Sequence, residues 1–302
     1  KFAIVRGLGD RYNNSMINGA PLPSTEPDRK TFAFDLIPAS LIDNVILVKT
    51  AEPDLPGDFA GGLIQVNTRD IPESNSLSLS LGSNYNSIST FKPFDSYDGG
   101  KNDWLGIDDG TRAIPNAFPG SDAYQSETDR NLQIEQSKLF NNDWALINKN
   151  SAMPAMNFQL AGGLKSQIGK NEFGGIFAIT YSNQLKYTQT FRGEYNTDTS
   201  SVFAYYDDQY KNNVLWGAIG NLSYKLGSNH KITFKNTLNI NADNSTTIRN
   251  GTHFERQQLV KSYNYDFVSN KLVNTQLSGD DFFPSMRLKL KWNAGIAKTW
   301  RD

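Results

Sequence analysis

Few side chains of this sequence are arranged as chemically active sites usually are. His230 and His253 lie in a predicted turn and a predicted loop, and neither has a partner at the spacing of metal ligands. Cysteine is absent, which removes thiolate ligands and disulfides. Three pairs of adjacent aspartates lack the frame of a calcium-binding loop and are interpreted as solvated loop charges. They are Asp108/Asp109, Asp207/Asp208 and Asp280/Asp281.

No serine-nucleophile or zinc motif occurs either, so the sequence predicts no enzyme, no metal and no cofactor. Gly7 and Gly9 have the spacing of a phosphate-binding loop, but Tyr12 occupies the position of the third glycine. The formal net charge is -1, without a basic stripe that could neutralise a phosphate backbone. Nucleotides and nucleic acids are therefore not expected as partners.

Alternating apolar and polar residues dominate the chain from about residue 77 to its end, and this period of two is typical of β-strands. Aromatic residues make up 12% of the chain, which also favours strands. No run of about 18 apolar residues occurs, so a membrane-spanning helix is excluded, whereas a membrane-spanning strand needs only alternate apolar residues. The alternation predicts seven strands. They lie at about 77–85, 157–164, 173–188, 214–226, 232–240, 256–278 and 286–296.

The connections between these strands differ strongly in length. Three are short and turn-like, at 166–172, 227–229 and 279–284. Three are long and polar, at 92–152, 190–211 and 241–254. Because short and long connections alternate, all short turns fall at one end of the sheet and all long loops at the other, as in outer-membrane barrels. A closed barrel needs an even number of strands, so the predicted fold is mainly β, a seven-strand fragment of a transmembrane antiparallel β-barrel.

The same pattern predicts which face of the strands meets lipid. Cationic groups near the bilayer midplane cost about 2 to 4 kcal/mol, so the apolar residues should face outward and Lys289 and Lys291 inward. The residues expected to face lipid are Phe173, Phe177, Ile179, Tyr181, Met286, Leu288, Leu290, Trp292, Ala294 and Ile296. Those expected to face the barrel lumen are Lys235, Thr237 and Asn239.

Residues 1–73 differ in composition from the rest of the chain, because they are dense in proline and glycine. A short helix is expected at 37–43, with Asp35 as its capping residue. Short apolar pieces, each the right size for a strand, lie at 3–5, 16–17, 45–48 and 63–66. The sequence therefore predicts a small α+β domain at 1–73, followed by barrel strands at 74–302. So little regular structure leaves no sizeable independent core, and the domain is expected to lie inside the barrel.

Several strings in this first domain closely resemble the plug domain of TonB-dependent receptors of the Bacteroidota type. The resemblance is dense over about residues 4–73 and implies a plug inside a 22-stranded barrel in the cell outer membrane. Further strings at 103–112 and 298–302 resemble the first extracellular loop and a later strand end. The strings in the first domain include Val5-Arg6-Gly7-Leu8-Gly9-Asp10, Asn18-Gly19-Ala20-Pro21-Leu22-Pro23, Leu36-Ile37-Pro38-Ala39-Ser40, and Pro53-Asp54-Leu55-Pro56-Gly57-Asp58-Phe59-Ala60-Gly61-Gly62.

The resemblance also implies site residues. The ligand would bind on the long barrel loops and on an upward plug loop at about 23–34. Arg6 would form a buried ion pair between plug and barrel, and an unpaired buried charge there would cost several kcal/mol. The long loops, 92–152 above all, would lie outside the cell and pack over the plug or against a partner. The polar residues of the plug loop are Ser24, Thr25, Glu26, Asp28, Arg29 and Lys30.

Three functions stay open on these grounds. The leading one is a TonB-dependent transporter that imports a scarce nutrient, in contact with outer-membrane lipid, the TonB complex and a surface lipoprotein or another outer-membrane subunit. An alternative is a non-transporting plugged-barrel subunit of an outer-membrane assembly. A soluble β-rich adhesin or enzyme domain is the third, and it would bury Leu290 against a second sheet. A TonB box upstream would favour transport, and independence of detergent would favour the soluble protein.

Overall fold

The computed structural model describes residues 4–21, 42–53, 55–140, 145–149 and 151–301. Within them the chain is mainly β, with a small mixed sheet near the start and a large antiparallel sheet of seven strands. A two-stranded ladder and two short helices lie in the loop between the first two strands of the large sheet. The mainly β fold and the seven antiparallel strands predicted from the alternation are confirmed.

The small sheet contains four short strands in the order β2-β1-β4-β3. β1 and β4 are parallel, while the β1–β2 and β3–β4 pairs are antiparallel. Of the strands predicted, those at 16–17, 45–48 and 63–66 are present, whereas at 3–5 the described residues Ile4 and Val5 form no strand and Val5 makes a single bridge with Leu8. Of the helix expected at 37–43, residues 42 and 43 belong to β3, and the others lie outside the described residues. The strands are β1 (Asn13–Ile17), β2 (Ala20–Pro21), β3 (Ile42–Val48) and β4 (Gly62–Thr68).

The large sheet joins its strands in chain order, each antiparallel to the next. Turns at 169–170, 227–229 and 284–287 lie at one end, here called the lower end, and turns at 196–200 and 254–257 lie at the upper end. The sheet is open, with β5 and β13 as its two edges. Its strands are β5 (Ser76–Asn84), β8 (Ala155–Ile168), β9 (Asn171–Tyr195), β10 (Ser201–Leu226), β11 (His230–His253), β12 (Gln258–Phe283) and β13 (Leu288–Arg301).

Two of the three predicted long loops are strand instead. Most of the stretch 190–211 belongs to β9 and β10, and almost all of 241–254 belongs to β11. Continuous registered pairing links these segments to the upper turns. Polar residues lie on both faces of these segments, and aromatic residues such as Phe203 and Tyr206 also occur on both. The alternation that marks a half-buried strand is therefore missing, although the backbone ladder needs no apolar side chain. The long-versus-short asymmetry of the connections therefore holds only for the first loop.

The first loop, residues 85–154, is long as predicted, and its described part contains regular structure. Two strands, β6 (Phe94–Tyr97) and β7 (Leu146–Lys149), pair antiparallel at its base. Two short helices, α1 (Ser121–Ser126) and α2 (Arg130–Ser137), follow between them. The side chain of Asp129 caps α2 by accepting a hydrogen bond from the backbone N–H of Asn131.

The small sheet packs on one face of the large sheet, here called the inner face. One apolar cluster spans the contact and joins both sheets. Lys235 is only 11% exposed in its side chain, and Thr237 and Asn239 are 8% and 1% exposed, as expected for residues on this face. The cluster consists of Val5, Ile17, Ile64, Val66, Ala161, Ile176, Ala178, Ile219 and Leu272.

Candidate functional site

The strap, residues 69–75, joins the small sheet to β5 and crosses the lower inner face of the large sheet. Ile71 occupies the space beside Gly174, where an added Cβ would lie 2.7 Å from Ile71 Cγ2. Pro72 does the same beside Gly163, where an added Cβ would lie 2.8 Å from Pro72 Cβ. Two glycines of the large sheet, called the wall below, thus leave space for two consecutive strap residues.

Asp70 of the strap forms ion pairs with two lysines of β11. Its carboxylate lies 2.5 Å from Lys231 Nζ and 2.6 Å from Lys235 Nζ. The Asp70 side chain is 24% exposed and that of Lys235 only 11%. Because Lys231 and Lys235 are four residues apart on a strand, both lie on the inner face and can reach one carboxylate. This cluster ties the strap to the wall electrostatically.

Neutral hydrogen bonds add to this contact between the two sheets. Asn221, which is 1% exposed, donates from Nδ2 to Thr68 Oγ1 at 2.8 Å. Gln276, which is 3% exposed, donates from Nε2 to the carbonyl of Ile17 at 3.1 Å. A cavity of ≈ 1030 Å³ lies beside this contact, and its lining includes Asp43, Lys231 and Lys235. The contact is therefore polar around a small apolar centre.

The structure places only one of the predicted site residues. Arg6 is exposed rather than buried, at a tight turn where its φ is 54°. Within the part of the chain that the structure describes, the turn projects the Arg6 side chain into solvent, and its ion pair stays a prediction. Asp70 forms an ion pair between the strap and the large sheet. Ser24, Thr25, Glu26, Asp28, Arg29 and Lys30 lie outside the described residues, and their proposed role stays a prediction.

Above the small sheet, the inner face holds a cleft of ≈ 380 Å³ centred on Asp207. Arg249 binds this carboxylate through two hydrogen bonds, from Nε at 2.7 Å and from Nη2 at 2.8 Å. Arg192 adds an ion pair at 3.0 Å from its Nε. The Asp207 side chain is 5% exposed and that of Arg192 is 62% exposed. Neutral polar residues complete the lining: Thr190, Gln209, Thr247, Ser262 and Asn264.

The electrostatics of this cleft follow from the two guanidinium groups. Hydrogen bonds from Arg249 hold the pKa of the Asp207 carboxyl below its usual range, and burial opposes that shift. The same pairing raises the pKa of Arg249. The guanidinium groups of Arg192 and Arg249 outnumber the carboxylate of Asp207, so the three side chains carry a net positive charge. The exposed Arg192 presents this charge to the cleft. Sequence reasoning missed this site because 190–211 was interpreted as loop and Asp207 as a solvated loop charge.

The opposite face of the large sheet, the outer face, exposes an apolar band. Leu222, Phe234 and Leu290 are 52%, 41% and 47% exposed. No other described element covers the lower part of this face. Register places the residues predicted on β9 and β13 on this face, and Phe173, Ile179, Leu288, Leu290, Trp292 and Ile296 are each at least 37% exposed. Phe177 and Tyr181 are half-buried, and Met286 lies in the turn before β13.

Two rows of aromatic residues cross the outer face, each joined by registered strand pairing. Along each of three strands the rows are eight residues apart, from 173 to 181, from 216 to 224 and from 292 to 300. The lower row contains Phe173, Tyr224 and Trp292. The upper row contains Phe158, Tyr181, Trp216 and Trp300.

In the lower row, the hydroxyl of Tyr224 and the indole N–H of Trp292 point away from the band between the rows. The Tyr224 hydroxyl accepts a hydrogen bond from Asn171 at the lower turn. The Trp292 indole donates to Asp281, one row nearer to the lower end. The ring of Trp292 lies over Gly279, where a Cβ would approach its Nε1 to 2.2 Å. Tyr224 and Trp292 therefore each have an apolar side toward the band and a polar atom beyond it.

The first loop packs on the outer face, not over the small sheet. Phe94 contacts Tyr210, with ring centroids 5.4 Å apart, and Tyr97 contacts Tyr265 at 5.1 Å. Register places Tyr210 and Tyr265 on the same face as Trp216. Of the two expectations for this loop, packing over the first domain is not found for its described residues, and packing against a partner stays a prediction. The first is not found because a set of aromatic side chains on the upper outer face binds the loop there.

His230 and His253 each lie close to another side chain. His230 Nδ1 lies 2.9 Å from Asp281 Oδ1 in a lower turn, and His253 lies 6.2 Å from the ring of Phe203 at an upper one. Over the described ranges, no group of three or more metal-ligating side chains is found. None of the helices in those ranges is long and apolar enough to cross a membrane.

Comparison with known proteins adds no relative. No protein-family profile matches the sequence, and no curated protein matches it significantly. Conclusions about function therefore depend on the fold, the two faces of the large sheet and the contacts of the strap.

Proposed function

We propose that this chain is part of a TonB-dependent outer-membrane transporter, in which the small sheet plugs a barrel wall formed by the large sheet. The observation that carries the proposal is the contrast between the faces of one sheet. The inner face is polar around a small apolar cluster that contacts the small sheet, whereas the outer face presents exposed apolar residues between two aromatic rows. Transmembrane barrels have this arrangement, with aromatic girdles at both interfaces.

The spacing of the aromatic rows supports a membrane location. Eight residues of strand span roughly 27 Å along the strand. A strand tilt of about 40° reduces this to a height of roughly 20 Å, close to the apolar band of about 25 Å in outer-membrane barrels. The polar tips of Tyr224 and Trp292 would then reach the lower headgroup region. The strands continue past the upper row, so their upper halves would stand in water outside the cell.

The two free edges support a larger closed wall. β5 and β13 present unpaired backbone along an otherwise paired sheet, and a membrane cannot satisfy such groups. Further strands would close the sheet, with the small sheet inside. The Asp207 cleft would then line the entrance above the plug, where a captured nutrient would pass it.

Of the two alternatives, only the soluble protein predicts a different environment for the outer face. A soluble sandwich would cover Leu290 with a second sheet, but Leu290 is 47% exposed and no described element lies over it. A non-transporting subunit would share the plugged barrel and differ only in whether the plug is ever displaced. Architecture alone supports the barrel, and the choice of transport over a scaffold rests on the resemblance of the first 73 residues to the plug of TonB-dependent receptors.

Channel recording tests the plugged barrel without knowledge of the substrate. The full-length protein, inserted into planar lipid bilayers, should conduct little current, because the small sheet occludes the lumen. Deletion of residues 1–68 should produce a large, steady conductance in a protein that still inserts. A deletion variant that inserts and stays silent would contradict the proposal.

Growth of the producing bacterium tests transport itself. Loss of the gene should slow growth on one class of scarce nutrient, and plasmid-borne protein should restore it only in cells with a working TonB. Restoration that is independent of TonB would favour the scaffold.

A further inference from the structure

We infer that the first loop is a membrane-surface anchor, which sets Trp104 into the headgroup layer of the outer leaflet beside the upper aromatic row. The inference rests on the proposed barrel function, because it needs the outer face to meet lipid. The partner is the polar–apolar boundary of the bilayer, recognised by an exposed indole on a fixed backbone.

The loop reaches the outer face at the level of the upper row. The Tyr181 hydroxyl donates a hydrogen bond to the carbonyl of Trp104 at 2.8 Å. Tyr181 itself belongs to the upper row and stacks obliquely on Trp216, with ring centroids 4.8 Å apart. The Trp104 side chain is 58% exposed. Trp104 therefore continues the upper row on a second segment of the chain.

A close backbone approach fixes the height of this segment above the band. At Gly106 the φ is 70°, a conformation that favours glycine. A Cβ at Gly106 would lie 2.8 Å from Ala242 Cβ and 3.5 Å from Val214 Cγ1. The Ser269 hydroxyl donates to the Gly106 carbonyl at 2.6 Å, and Ser269 is fully buried. The loop thus rests directly on the wall, one row above Trp216.

A cluster around Arg112 makes this part of the loop rigid. Arg112 forms ion pairs with Asp103 at 2.5 Å and with Asp108 at 3.1 Å. Its guanidinium carbon lies 4.2 Å from the ring centroid of Phe267 on β12. Asn244 of β11 donates to Asp103 Oδ2 at 2.8 Å. Asp103 and Gly106, one on each side of Trp104, are therefore held against the large sheet, which keeps the Trp104 ring at the surface of the loop.

Lipid is the occupant that this geometry favours. Tryptophan is enriched where a bilayer meets water, because its ring is apolar and its N–H needs a polar partner. Trp104 lies where the exposed apolar band ends and the polar loop begins, on the same face as that band. A protein partner would instead cover Trp104 and exclude lipid and water together.

Site-directed spin labelling of the full-length protein in phosphatidylcholine vesicles tests the inference. The chain has no cysteine, so single changes can carry the label: Trp104→Cys, Leu222→Cys in the lower part of the band and Tyr206→Cys above the upper row. The label at 222 should collide with oxygen and hardly with a water-soluble nickel complex, and the label at 206 should show the reverse. The label at 104 should fall between them, with nickel accessibility several-fold below that at 206.

The outcomes separate the two proposals. Suppose that the label at 222 is shielded from nickel and the label at 104 is as accessible to nickel as the label at 206. The loop is then not a membrane anchor, whereas the barrel proposal is still supported. A label at 104 that is shielded from both reagents would mean a protein partner, which also overturns the inference. If the label at 222 is itself accessible to nickel, the membrane barrel fails as well.

Discussion

Ile71 occupies the volume that Gly174 leaves empty, and a Cβ at Gly174 would lie 2.7 Å from Ile71 Cγ2. Gly174→Ala should therefore push the strap away from the wall. Overpacking of this kind costs about 1 to 3 kcal/mol. The free energy of unfolding in urea, measured on the full-length protein in lipid vesicles, should fall by that amount, and Ile71→Ala should recover part of it in the double variant.

Gly220 supplies the matched control, because an added Cβ there meets nothing within 4 Å. Gly220→Ala lies on a neighbouring strand and should leave the free energy of unfolding within about 0.5 kcal/mol of the parent. Equal losses for the two alanine variants would show that Gly174 does not leave space for Ile71.

Removing the charge of Asp70 should weaken the strap. Asp70→Asn leaves Lys231 and Lys235 without their carboxylate, and a hydrogen bond to a charged group contributes about 1.5 to 3 kcal/mol. Hydrogen exchange should then accelerate in residues 69–75. The exposed pair Asp280–Lys289, at 3.4 Å, is the control, and Asp280→Asn should cost less than about 1 kcal/mol. Unchanged exchange in the strap would contradict the assignment.

Asp207 should make the upper half of the sheet sensitive to acid. Because its folded pKa is lowered from the ordinary value near 3.9, its ionised form stabilises the fold above about pH 4, and this contribution is lost as the pH falls through the folded pKa. Asp207→Asn should thus cost about 1.5 to 3 kcal/mol at pH 7 and progressively less below pH 4. Urea unfolding at several pH values measures it.

A pH-independent cost of Asp207→Asn would contradict this role for the carboxylate. The exposed Glu135–Lys138 pair gives the comparison, since both side chains are more than half exposed. Glu135→Gln should change the free energy of unfolding by less than about 1 kcal/mol at any pH.

The outer face should tolerate no cation in its lower part. Ile296→Lys puts a charge midway between Trp292 and Trp300, on the face that the barrel proposal assigns to lipid, at a cost of about 2 to 4 kcal/mol near the midplane. Lys289→Ala, on the inner side of the same strand, should cost far less. Folded protein in outer-membrane fractions, detected by its resistance to denaturation without heating, should fall only in the first variant. Equal yields would mean that Ile296 does not face lipid.

Much of the large sheet could be predicted from the sequence, because its lower half is apolar on one face and polar on the other. Lys235, Thr237 and Asn239 follow this rule and lie on the inner face as predicted. The upper halves of β9, β10 and β11 could not be predicted, since polar residues on both faces hide the period of two. Their strands are held by backbone pairing and by pairs such as Arg249–Asp207, which no local pattern reveals.

The contacts of the strap and of the first loop were also beyond sequence reasoning. Asp70 meets Lys231 across 161 residues of chain, and Ser269 meets Gly106 across 163. Such partners depend on which face each segment packs against. The first loop contains no signal that would favour the outer face over the inner one. Of its aromatic partners, Tyr210 lies in a stretch interpreted as loop, and Tyr265 lies in a predicted strand whose packing partner no local pattern reveals.

The interval of eight residues between the aromatic rows also limits which changes of length this chain can accept. One residue inserted between Phe173 and Tyr181 would exchange the faces of everything beyond it and put inner polar groups outside. Insertions at 196–200 or 254–257 leave both rows in register. Natural variation in length should therefore collect at the upper turns and within the first loop, while the segments between the rows keep a constant count of residues.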